Sequence, residues 1–182
     1  MKKYLIIYKP FLLFLSKFFL AYLVLTMVYQ GYLNRFEAPE VDTITKTVAE
    51  QAKQVLTLFD ANSSVEENKS EPFIKLIYHQ HYVARVVEGC NAISVIILFI
   101  AFIMAFSGKL KTTLLFVLGG SLFIYILNIL RIAMLSVLMY HFPEQEHILH
   151  GVVFPLIIYG AVFILWVIWV NKFSKYASKR TK

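Results

Sequence analysis

Four long apolar runs constrain this chain more than any motif in it: Phe11 to Leu33, Asn91 to Phe106, Thr112 to about Tyr140, and Gly151 to Val170. About 20 residues at 1.5 Å of rise match the roughly 30 Å of hydrocarbon in a bilayer. In lipid the backbone must satisfy its own hydrogen bonds, so each run is predicted to be a transmembrane helix. Composition supports this, since 59% hydrophobic side chains and a mean hydropathy of +0.66 are not those of a soluble domain. The expected fold is an all-α membrane protein, a bundle of about four transmembrane helices with an outer amphipathic helix.

Lys2, Lys3 and Lys9 precede the first run as they would in a secretory signal. The run is longer than a signal's apolar core, however, and Tyr32, Leu33, Asn34, Arg35 and Phe36 after Gly31 offer no small-x-small cleavage site. It reads as a retained anchor, with Lys17 snorkelling to the nearer interface.

Charge then orients the bundle. Segments 1–10, 107–111 and 171–182 hold Lys2, Lys3, Lys9, Lys109, Lys111, Lys172, Lys175, Lys179, Arg180 and Lys182 and no acid. Segments 34–90 and 141–150 hold all 11 acidic residues. The positive-inside bias places the former in the cytoplasm and the latter in the periplasm of a bacterial inner membrane, with both termini cytoplasmic. The net charge of +7 therefore needs no nucleic-acid partner, because a basic tail at 171–182 is accounted for by anionic lipid.

Within the periplasmic segment 34–90, Val41, Ile44, Val48, Val55, Leu56 and Phe59 recur at helical spacing, which predicts an amphipathic helix over 40–60. Residues 61–71 read as a flexible linker, and Phe73 to Val87 as an apolar lead into the second span at 91–106. His79 and His81 have no third ligand nearby, so no metal is expected. With no glycine-rich phosphate loop and no repeat, no cofactor is expected either.

Three reactive side chains meet at one membrane face. Cys90, the only cysteine, stands where the outer segment enters span two, and a helix N-terminus favours the thiolate that attacks carbonyl carbon. Arg131 lies 19 residues beyond Thr112, about 28 Å along span three (112–140) and thus near the outer surface. Ser121, Tyr125, Asn128 and Arg131 form a polar line expected to face the bundle interior. His150 opens span four (151–170), with His147 one turn earlier.

Glu88-Gly89-Cys90-Asn91-Ala92-Ile93-Ser94, then Asn128-Ile129-Leu130-Arg131-Ile132, then His150, resemble the motifs of the exosortase/archaeosortase family over roughly 82–170. The size is similar to the compact exosortase-like form of Bacteroidetes. The resemblance implies a cysteine peptidase or transpeptidase that cleaves C-terminal sorting tails of exported proteins, with Cys90 as nucleophile, Arg131 as its partner and His150 as the third member. Aligning on Gly151 instead favours His147 for that third role. One departure is Ala92, where the family usually has glycine. A non-catalytic alternative is an accessory or scaffold subunit of an export or polysaccharide system, in which Arg131 pairs with Glu88 for stability. A transporter has less support, with four spans, one intramembrane cation and no inverted repeat.

Overall fold

The structure, a computed structural model, describes residues 2–37, 39–59, 62–106 and 108–174, the first six of them by backbone alone. Helix α1 (Lys2–Leu33) leads into the outer segment, where α2 (Thr43–Leu58) is followed by strands β1 (Ser63–Glu67), β2 (Ile74–Tyr78) and β3 (His81–Val86). A 3-10 turn, Glu88–Cys90, then opens onto α3 (Ile93–Ala105), α4 (Leu110–His141) and a closing helical run, Pro143–Phe173.

Among the described residues three helices are long and apolar enough to cross a bilayer: Tyr8–Leu33 within α1, α4, and the closing run. Their lipid-side surfaces are apolar, with Phe19, Leu23, Val28, Leu118, Leu122, Leu156 and Phe163 all exposed. The expected span at 91–106 is shorter than the sequence suggested, because α3 has 13 residues, about 20 Å of helix. It nevertheless packs antiparallel against α1 between Phe14 and Leu33. Near one end Ile97 packs with Tyr29 and Leu33, and near the other the Phe106 ring lies 4.6 Å from that of Phe14. The extended backbones of Phe106 and Lys109 carry the chain on to α4. There Gly108 bridges to Ser174, and the Trp169 ring fills the space a Cβ on Gly108 would need. Four of the basic residues expected on the cytoplasmic side, Lys175, Lys179, Arg180 and Lys182 of the 171–182 tail, lie outside the described residues, as do Ser107 of the 107–111 loop and Ala61 of the expected linker.

The outer segment departs from expectation. Helix α2 forms near its predicted place, started by Asp42, whose carboxylate accepts from the Thr45 amide at 3.0 Å. Its buried stripe is Thr45, Val48, Ala49, Ala52 and Leu56, while Phe59 beyond its end is 81% exposed. Alanines fill the seam because α2 lies close on α4 and the sheet. Residues 61–71 are not a linker throughout, since 63–67 form β1. The reading failed because β1 buries little of its own and is held by pairing with β2. Ile74, Leu76 and Tyr78 alternate inward with Lys75 and Ile77, so the supposed lead into span two is a β-hairpin. His79 and Gln80, both at positive φ (48° and 67°), form its two-residue turn.

This sheet explains why α4 is longer than a bilayer requires. At 32 residues it measures about 48 Å. Its C-terminal half packs Ile129, Ile132 and Ala133 into one core with Val48, Ala52, Leu76 and Val86.

Candidate active site

Cys90 ends the 3-10 turn that follows β3, two residues before the N-cap of α3. Two asparagines fix it. Asn91, 1% exposed, donates to the Tyr29 hydroxyl at 2.7 Å and the Thr45 hydroxyl at 3.1 Å, and its carbonyl caps the Ile93 amide. One side chain thereby joins α1, α2 and the start of α3. Asn128, equally buried on α4, donates to the Cys90 carbonyl at 2.7 Å. The residue carrying the thiol is thus held from both sides by hydrogen bonds among buried groups, where an unmade bond is costly. Cys90 itself is half-buried, beside the outer core.

The polar line on α4 faces inward as expected. Tyr125 donates to Gln51 of α2 at 2.6 Å, and the carbonyl of Asn128 accepts from Arg131 at 3.4 Å. Ser121 Oγ and Arg131 Nε are buried and have no partner among the described residues. Asn128 therefore links Cys90 to Arg131 in a single chain of contacts. No carboxylate lies within ion-pair range of Arg131 among the described residues. The structural alternative, an Arg131–Glu88 pair, is not formed. Glu88 instead borders a cleft of about 500 Å³ with Glu40 and Asp42. Desolvation, then the charge of Asp42, raises its carboxyl above the ordinary value.

His150 lies in a π-helical segment, Leu149–Val153, at the head of the closing run. Wide turns of this kind recur at functional sites. Its exposed ring sits in the field of Arg131, Glu146 and Arg85. No hydrogen bond joins it to Cys90 or Arg131 among the described residues. The structure thus links Cys90 to Arg131 through Asn128, and brings His150 within electrostatic range of Arg131 without direct contact.

The sequence matches the family described as transmembrane exosortase over residues 4–170. The chain belongs to that family. The match extends well upstream of the 82–170 region that carries the motifs, into α1 and the outer segment. No curated protein and no solved structure matches it.

The exosortase motif also acquires a physical reading at its one departure. Ala92 has φ 68° and ψ −6°, the left-handed region where a Cβ costs about 1–2 kcal/mol and glycine costs nothing. The family's usual glycine suits this conformation. Here the alanine methyl is buried, 5% exposed, against Phe99 and its neighbours, which offsets part of the strain. Sequence reasoning placed Asn128 on the right line, but it missed Asn91 as a tie between three helices, and it passed over Arg85. A polar residue beside the cysteine at the mouth of an apolar span was the available signal for the first. Nothing local marked the second.

Proposed function

We propose that this exosortase-family chain is a membrane cysteine peptidase or transpeptidase of the inner membrane. It cleaves C-terminal sorting tails of exported proteins at the periplasmic surface, with both its own termini cytoplasmic. The reading is supported above all by Arg131, a half-buried guanidinium with, among the described residues, no partner for its Nε and no neutralising carboxylate, and with a tie through Asn128 to the cysteine. A cation kept for stability alone would be paired.

In this mechanism the Cys90 thiolate attacks the scissile carbonyl carbon. Arg131 stabilises the oxyanion that develops, where a fixed charge in low dielectric is worth most. The tetrahedral intermediate collapses to a thioester as the C–N bond breaks, and the departing amine takes a proton from His150. His150 then accepts a proton from the attacking amine or water, and the thiolate is released. The substrate's own membrane helix holds the cleavage point at the level of Cys90.

Cys90→Ala and Arg131→Ala abolish processing of a co-expressed tail-bearing exported protein while leaving the enzyme's abundance unchanged. Comparing His150→Ala with His147→Ala assigns the third role, and loss is expected only in the former. Normal processing by Cys90→Ala overturns the nucleophile. If the chain is instead an accessory subunit, Cys90 resists a membrane-impermeant alkylating reagent at neutral pH.

A further inference from the structure

The antiparallel sheet has two edges, and they are treated differently. The β1 edge is tied down to α2: Ser63 donates to the Lys53 carbonyl, and Glu67 pairs with Lys46 at 2.9 Å and accepts from the Val41 amide. The β3 edge has no such cover. Among the described residues, Tyr82 to Val86 make no main-chain or side-chain hydrogen bond outside the ladder with β2. Unpaired strand edges are templates for another extended chain.

A cleft of about 350 Å³ runs along β3, lined by Tyr82, Val83, Ala84 and Arg85 on one side and by Met139, Pro143 and Glu146 on the other. Successive strand residues point to opposite faces. The cleft touches four residues in a row across a bulge at Val83, where the register shifts between Ile77–Tyr82 and Leu76–Ala84, and since β2 occupies one edge of β3 the cleft borders the other, open one. The cleft also leads to the site. At the start of β3 the rings of Tyr78 and His81 pack on Tyr140, at 5.2 and 5.4 Å. Beyond its end Cys90 meets Asn128, 12 residues before Tyr140 and about 18 Å back along α4. Arg85 and Glu146, from the two walls, both act on the His150 ring.

We infer that the free edge of β3 is the substrate track: the stretch of exported protein immediately upstream of the cleavage point adds to the sheet as a fourth strand and is delivered to Cys90. The inference rests on the nucleophile reading of Cys90. A chain whose membrane anchor follows the scissile bond descends the cleft in the same direction as β3, which makes the pairing parallel. Main-chain bonds supply affinity with little regard to sequence, and Arg85 and Glu146 select among the side chains that face them.

Cys90 is the only cysteine, so Cys90→Ala provides a cysteine-free background. The probe is the exported protein whose uncleaved form accumulates when this chain is deleted, carrying single cysteines at successive positions upstream of its cleavage point. Tyr82 is 55% exposed, so Tyr82→Cys leaves the core intact, and Glu40→Cys reports on the other cleft. Oxidation is expected to link Tyr82→Cys to alternate probe positions, with a period of two. Links from Glu40→Cys alone, links without alternation, no link from Tyr82→Cys, or a Tyr82→Cys homodimer in place of links to the probe each overturn the track. These links are read whether or not Cys90 is the nucleophile. Loss of processing in Cys90→Ala with no link at Tyr82→Cys defeats the track and leaves the mechanism standing.

Discussion

Replacing Asn128 by alanine tests the core of the site. Its side chain is the one donor to the Cys90 carbonyl among the described residues, at 2.7 Å, and it also accepts from Arg131 at 3.4 Å. Truncation leaves a half-buried carbonyl without its donor, which costs up to about 1–3 kcal/mol. The longer bond contributes less, although its loss frees a guanidinium whose Nε already lacks a partner. If that cost falls on the aligned state of Cys90 and Arg131, processing slows roughly 5- to 150-fold, since each 1.36 kcal/mol is tenfold in rate. Asn128→Asp sharpens the test. It keeps the volume and gives Arg131 a counter-ion, but turns an oxygen toward the Cys90 carbonyl where a donor stood, so it too is expected to fail. The assay follows the cleaved fraction of a tail-bearing protein over time, normalised to enzyme abundance in the membrane. Processing by Asn128→Ala within twofold of the parent rate would refute the claim that this amide aligns the site.

Two further predictions concern the scaffold. A Cβ on Gly120 would collide with the ring of Phe99, which is 0% exposed and has no room to move, so Gly120→Val should lower stability in detergent by about 1–3 kcal/mol. Gly119→Val, with open space at its Cβ, should leave the thermal midpoint nearly unchanged. At the β1 edge, the hydrogen bond from Lys46 holds the Glu67 carboxyl below its ordinary value. That lowered folded-state value means the contribution is complete above the unfolded value of about 4.3 and is lost as pH falls through the folded one. Lys46→Ala should therefore flatten the acid limb of the stability profile, by a small amount because the pair is exposed and screened.

The membrane class of this chain and the convergence of Cys90 on Arg131 were legible because both follow from one-dimensional patterns. Apolar run lengths fix which segments leave water, and their alternation forces the start of one helix and the end of the next to share a side. Family motifs at Cys90, Arg131 and His150 pointed to the exosortase family, and the match over residues 4–170 agrees with that family. What stayed hidden is what depends on partners distant in sequence. Strand β1 has no hydrophobic alternation of its own strong enough to announce it, and exists because β2 offers it a ladder. Residues 112–140 read as one long span, although only tertiary packing reveals that the C-terminal half of α4 supports the three-stranded sheet. Asn91 is a lone polar letter in the sequence, and becomes the tie between Tyr29 and Thr45 only once three helices converge, 62 and 46 residues apart along the chain. Burial in lipid is a property each segment carries by itself. The tie from the Cys90 carbonyl through Asn128 to Arg131 is a property of shared neighbours, which folding alone brings together.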